Sequence, residues 1–214
     1  MMLKNQLKKF YYNIFKNYEK ELEILTRDCK SLLDVGCGNN SPIKHFSHKL
    51  YTVGVDAYLP SIEKSKNQRI HNDYLNIDVM DIGEKINSKS FDCVLASDLI
   101  EHLTKENGLK LIKMMEEIAT KKVIIFTPNG FLPQGEYDNN PWQIHHSGWD
   151  VEEMQKLGYR VIGINGLKSL RGEYARINYK PLFLWTLLSD ITQLFVRNNP
   201  KYAFQILCVK ELNF

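Results

Sequence analysis

From Ser31 onward, short β-branched or leucine-rich runs alternate with helical patterns, and this alternation constrains the fold more than any other feature of the chain. SLLDV (31–35), YTVGV (51–55), FDCVLAS (91–97) and KKVIIFT (121–127) have the length and texture of buried strands, with a weaker one at DYLNI (73–77). Helices are predicted between them over Pro42–Ser47, Pro60–Asn67 and Lys105–Ala119. Pro42 and Pro60 fall in first turns, where a missing N–H leaves no bond unmade. Strands separated by helices pair in parallel. Asp150–Leu157 then reads as a helix, Tyr159–Asn165 as a strand and YAFQILCVKEL (202–212) as a last strand.

Two further segments are helical. Leu3, Leu7, Phe10, Tyr11, Ile14, Phe15, Tyr18, Leu22 and Leu25 recur at helical spacing, which makes the first 28 residues one amphipathic helix or two. Between Leu182 and Val196 the apolar face is wide, and Thr186, Ser189, Asp190, Gln193 and Arg197 form a narrow polar stripe. Burial in the core or a dimer interface is expected of that face, ahead of peripheral membrane association, which normally wants lysines on the polar side. With 214 residues and 43% hydrophobic content the chain suffices for one sizeable core. It is read as a single domain: a helical segment over 1–29, a ligand-binding core over 30–165 and a C-terminal helix and strand over 166–214.

Cys29, Cys37, Cys93 and Cys208 form no CxxC pair, which argues against a zinc site and a disulfide framework, and no metal is expected. Lysines interrupt every apolar run near the N-terminus, so neither a secretory leader nor a membrane span is read there and a cytoplasmic location is expected. The net charge of +3 is uneven, with eight basic and three acidic residues from Arg160 onward. Dispersed as they are, these charges read as a solvated surface, and no cluster suggests a nucleic-acid partner.

Chemistry is concentrated in LLDVGCGNN (32–40), a strand running into a Gly-x-Gly turn. Gly36 and Gly38 let the backbone turn sharply and approach a ligand, and the carboxyl end of a strand at a topological switch point is where open α/β sheets bind. Asp56 ends the next strand, where an acidic side chain can accept from both hydroxyls of a ribose. A dinucleotide fingerprint wants a third glycine at position 41, which here is Ser41, so a pyrophosphate ligand is disfavoured.

At these residues the chain resembles the class I S-adenosylmethionine-dependent methyltransferases. LLDVGCGN matches the first motif of that family, VGVDAY the second acidic motif, IDVMD the adenine-side motif, SFDCVLASDLIEHL the fourth strand and following helix, and VIIFTPNG the fifth strand. Asn40 stands where the family has a third glycine. The resemblance spans roughly residues 30–165. It implies an α/β, Rossmann-like three-layer sandwich on a mostly parallel seven-stranded sheet with an antiparallel last strand. It implies S-adenosyl-L-methionine as cofactor and S-adenosyl-L-homocysteine as product. Asp34 would orient the turn and help hold the amino-acid end of the cofactor beside Gly36, Cys37 and Gly38. Asp56 with Ala57 would hold the ribose, and Asp78 with the Val79 amide the adenine, Asp81 being the competing carboxylate. Ser97 and Asp98 would lie near the methionine. Glu101 and His102 are expected to pack helix on sheet, and His45, His48 and His71 to lie on the surface.

The stretch TPNGFLPQGEYDNNPWQIHHSGW (127–149) is too long for an ordinary connection and is read as part of the active site. His145 or His146 would take a proton from an acceptor hydroxyl or contact the acceptor, the alternative being a histidine that pins the loop to backbone. Tyr137, Trp142 and Trp149 would stack on an acceptor or, slightly preferred, anchor the loop. Lys168, Arg171 and Arg176 are read as surface charge rather than as a cradle for an anion. The expected activity is methylation, of oxygen first, on a small-molecule or glycan-type acceptor, with oligomeric state open. Two other classes stay in view: a nicotinamide-dependent reductase, against which Ser41 argues, and a cofactor-binding partner protein without turnover.

Overall fold

A computed structural model describes residues 18–135, 141–172 and 175–212. Most of the N-terminal helical segment lies outside them; its tail is α1 (Tyr18–Leu25). Then follow β1 (Ser31–Val35), β2 (Tyr51–Val55), α2 (Leu59–Asn67), β3 (Asp73–Leu75), α3 (Ile82–Lys85), β4 (Phe91–Ser97), α4 (Lys105–Ile118) and β5 (Ala119–Pro128). The chain closes with α5 (Val151–Lys156), β6 (Arg160–Leu167), α6 (Leu182–Val196) and β7 (Ala203–Glu211). The seven strands lie in the order β3-β2-β1-β4-β5-β7-β6. The first five pair in parallel, and β7 slots antiparallel between β5 and β6. This is the Rossmann-like sheet that the family resemblance implies, and its parallel part is the one that the strand alternation predicts. Because β1 is flanked by β2 on one side and β4 on the other, the order reverses there, and the crevice opens at the carboxyl ends of those strands.

Alternation along the strands sorts the core into two layers. Leu33, Val35, Val94, Ala96, Val123 and Ile125 point to one face and pack with Leu111, Met115 and Ile118 of α4 and Met154 of α5. Leu32, Cys93, Leu95, Ile124 and Phe126 point to the other, against Leu22 of α1 with Ile43 and Phe46. All four cysteines are buried free thiols.

Two expectations need correcting. The segment predicted as a helix over Pro42–Ser47 forms two 3-10 turns, Pro42–His45 and Ser47–Lys49, because Phe46 between them turns out of helical geometry at φ −134°. The larger correction concerns α6, of whose two expected settings, the core and a dimer interface, only the core is overturned. Its buried residues are Ser189, Gln193 and Val196, so part of the polar stripe faces the protein. Leu182, Phe183, Leu184, Leu187, Ile191, Leu194 and Phe195 are exposed, Phe183 to 70%. The cause is β6, whose register slips between Ile164 and Leu167, with Asn165 and Gly166 both at positive φ. Gln193 satisfies the disturbed backbone, accepting from the Gly166 N–H at 3.0 Å and donating to the Gly163 carbonyl at 2.9 Å. Thr192 accepts from the Leu167 N–H, and Arg197 forks onto Glu21 of α1 at 2.9 and 3.1 Å. No helix among the described residues is long and apolar enough to cross a membrane.

Candidate active site at the switch point

The turn after β1 takes the conformation its glycines allow, with φ of +69° at Gly36 and +58° at Gly38. A Cβ on Gly36 would stand 2.6 Å from the Leu99 side chain, whereas one on Gly38 would meet nothing within 4 Å, so the second glycine leaves an open floor. Asp56 braces this floor from the end of β2. Its two carboxylate oxygens accept from the Gly38 and Tyr58 N–H groups, each at 2.8 Å. Burial nevertheless outweighs these bonds and raises its pKa.

Asp34 lies behind the turn, 1% exposed, and one oxygen accepts from the Ser41 hydroxyl at 2.5 Å and meets His71 Nε2 at 2.9 Å. His71 is therefore not the surface residue expected of it. It is 7% exposed, its ring edge-on to Tyr74, while His45 and His48 are exposed as expected. The sequence did carry a signal in Gly54, in the middle of β2. A Cβ there would stand 2.9 Å from Cys37 Sγ and 3.0 Å from His71 Nδ1, so the glycine makes room for the thiol and the ring.

Gly36, Gly38, Asp56, Ala57, Asp78, Val79 and Asp98 line one crevice, about 100 Å³ in volume, with Leu99, His102, Trp142 and Gln143. The structure brings together seven of the residues singled out from sequence. Three do not line it: Asp34 is behind the turn, the Cys37 thiol is buried with its pKa pushed up by that burial, and Ser97 is the half-buried last residue of β4. Asp78 caps the 3-10 turn Val79–Asp81 by accepting from the Met80 N–H at 2.9 Å, while Asp81 is exposed and outside the crevice.

A second cavity, about 220 Å³, adjoins the first and shares Asp98, His102 and Gln143 with it. Asp98 is held at φ +47° and accepts from the Gln205 amide at 3.0 Å. Asp98 is exposed and lines both cavities, and desolvation of its carboxyl raises its pKa to about 7 against the opposing Gln205 bond. Glu101, 2% exposed, accepts from the Thr127 hydroxyl at 2.9 Å, and burial followed by the charge of Asp98 pushes its pKa well up. His102 is held down to about 4 by burial and by its neighbour His145, and burial also lowers His145. Glu101 and His102 were expected to do no more than pack; both line this second cavity. The two rings meet edge to face, with centroids 4.7 Å apart.

The long loop is pinned to the 3-10 turn after β4. The Glu101 carbonyl accepts from the backbone N–H groups of His146 at 2.8 Å and Ser147 at 3.1 Å, and Trp149, fully buried, donates its indole N–H to Ser147 Oγ at 3.0 Å. Lys105 caps the Trp149 ring at 3.7 Å. Trp149 is thus an anchor, as preferred. Trp142 is instead 52% exposed and walls the first crevice. Tyr137 lies outside the described residues. His145 lines the second cavity, while the side chain of His146 is exposed and lines neither. Among the basic residues, Arg171 donates to the Asn165 and Ala175 carbonyls at 2.8 Å each, Lys168 reaches the Asn129 carbonyl, and Arg176 is exposed.

A family model described as a methyltransferase domain matches residues 33–126. Among solved structures, the chain is similar to a SAM-dependent methyltransferase from Archaeoglobus fulgidus, at 15% identity and TM-score 0.57, with 96% of this chain and 99% of that one covered. It is also similar to the methyltransferase domain of bacterial CtHen1, at 15% identity and TM-score 0.60, with coverage of 92% and 97%. A third likeness is to the plantazolicin methyltransferase BpumL in complex with SAH, at 16% identity and TM-score 0.53, with coverage of 98% and 90%. No curated protein matches.

Proposed function

We propose that the chain is a class I S-adenosylmethionine-dependent methyltransferase that methylates a hydroxyl of a small-molecule or glycan-type acceptor, a reading supported by the methyltransferase-domain model that matches residues 33–126. The observation that carries the reading is the pair of adjoining cavities with Asp98, His102 and Gln143 as their common wall, one cavity floored by the glycine turn and the other opening beyond β4.

The donor set fits the cofactor. Asp56 offers two oxygens at the rim, suited to a pair of ribose hydroxyls. Val79 begins a 3-10 turn, so no carbonyl within that turn takes its N–H, which is available to an adenine ring beside Asp78. The open floor at Gly38 suits an amino-acid end, with Asp34 setting the turn from behind and Ser97 and Asp98 closing the β4 side. Bound there, S-adenosylmethionine supplies an electrophilic methyl group on a sulfonium. The protein's own contribution is alignment and exclusion of water, with a proton acceptor for a hydroxyl. Of the histidine pair we assign His145 to the acceptor, since it lines the second cavity. Four buried free thiols support a reducing, cytoplasmic setting.

Calorimetric titration with S-adenosylmethionine, S-adenosylhomocysteine and NADH tests the reading. Saturable binding of the first two, abolished in Asp56→Ala, is expected. Binding of NADH alone would turn the assignment to a reductase. Release of S-adenosylhomocysteine in a screen of hydroxylated acceptors then separates an enzyme from a binding protein without turnover.

A further inference from the structure

We propose that Glu101, His102 and His145 form a site for a first-row divalent transition cation in the wall of the second cavity, an inference that rests on the methyltransferase reading only for its role. One oxygen or nitrogen from each of the three side chains lies within 4.8 Å of the others, close enough for one ion to take all three with small rotamer adjustments. They come from two parts of the chain, the 3-10 turn Ile100–His102 and the long loop after β5. The register between the two is set by backbone, through the bonds of the His146 and Ser147 N–H groups to the Glu101 carbonyl.

The hydrogen bonds select the ligand atoms. His102 Nδ1 lies 3.2 Å from the Ile144 carbonyl and His145 Nδ1 lies 2.6 Å from the Leu132 carbonyl. A carbonyl oxygen can only accept, so each Nδ1 carries its proton and each Nε2 keeps its lone pair. Imidazoles oriented by an Nδ1–H bond to a carbonyl are how proteins present Nε2 to a metal. Glu101 adds the charge. It is buried, its side-chain hydrogen bond among the described residues is the neutral Thr127 hydroxyl, and a buried carboxylate without a cation is costly. Two imidazoles and one carboxylate favour zinc, cobalt or manganese over magnesium or calcium. Three protein ligands leave coordination positions open toward the cavity, so the ion can hold an acceptor oxygen beside Asp98 and lower the pKa of a bound hydroxyl. The acceptor class this selects carries an oxygen that can ligate a cation. In this arrangement His145 meets the methyl acceptor through the ion and not as its base, and the hydroxyl proton passes to solvent.

Cobalt is the probe, because its visible absorption reports imidazole coordination directly. The metal-free full chain is expected to bind one cobalt per molecule and develop such bands, and zinc is expected to displace it. In His145→Ala and Glu101→Gln the affinity is expected to fall by about 100-fold or more, with His48→Ala, an exposed histidine, unchanged. Melting followed by circular dichroism identifies a variant that has merely unfolded, and either folded variant suffices. No cobalt bands, or bands of equal affinity in a folded His145→Ala or Glu101→Gln chain, would overturn the site. S-adenosylhomocysteine titration of the same samples keeps the two readings apart: its binding without cobalt binding sinks the cation site alone, and the reverse sinks the methyltransferase reading alone.

Discussion

Asp34 is joined to a histidine 37 residues further on, and that contact shows what local sequence can and cannot convey. Gly36, Gly38 and Asp56 were legible because their roles follow from strand, turn and spacing, all set within about one βαβ unit. His71 was not, since nothing in RIHND marks it as buried; only the lateral order β3-β2-β1 carries it to Asp34, and Gly54 was the faint clue. Removing the ring leaves a buried carboxylate short of a partner. His71→Ala is therefore expected to lower stability by about 1–3 kcal/mol in urea titration, against no more than about 0.5 kcal/mol for the exposed His48→Ala. Equal small effects would mean that Asp34 finds another partner. The glycines separate in the same way. Gly36→Ala meets both a positive φ and the Leu99 side chain, while Gly38→Ala meets only the φ, a strain of about 1–2 kcal/mol. Gly36→Ala should consequently show the larger drop in melting temperature.

Among the elements, the parallel strands, α4 and the antiparallel last strand agree with the alternation and the family resemblance. The orientation of α6 does not follow from either. A hydrophobic pattern says which residues share a face, and ordinarily the apolar face turns inward. Here the inward side is chosen by the unpaired backbone of β6, and polar side chains answer it. Gly163 and Gly166 leave no space for a Cβ against the Val196 and Ser189 carbonyls, so the helix backbone rests directly on the strand. The usual substitution rule inverts as a result. Gln193→Leu, which adds apolar surface to a buried position, is expected to cost about 1–3 kcal/mol because the Gly166 N–H and Gly163 carbonyl lose their partners. Leu194→Gln, on the exposed face, is expected to leave chemical denaturation nearly unchanged.

Across the whole molecule, charged contacts hold α1 against the 3-10 turns that follow β1, and the long loop ties both cavities together. Glu23 on α1 accepts from Lys49 at 2.8 Å and Lys20 at 3.1 Å, and these bonds lower its pKa from 4.5 to about 2. Since the folded value is the depressed one, the stability it contributes is complete above pH 4.5 and is lost as pH falls toward 2. Solvent screening keeps that contribution within about 1 kcal/mol, and Glu23→Gln should remove this part of the acid dependence in urea titrations across that range. The loop gives the last test. Its far end is locked by Trp149 under Lys105 and by the Glu101 carbonyl, while Trp142 stands half-exposed at the crevice wall. Of the three tryptophans, Trp149 is sealed in the core and Trp185 lies on α6, its indole donating to the Lys180 carbonyl, which leaves Trp142 as the one that lines the crevice. S-adenosylhomocysteine should therefore change the intrinsic fluorescence of the wild-type chain, and Trp142→Phe should abolish that change while weakening calorimetric binding by no more than about tenfold, the contribution of one aromatic contact. A fluorescence change that persists in Trp142→Phe would mean that the ligand reaches its site without engaging this wall, and would move the cofactor away from the crevice floored by Gly38.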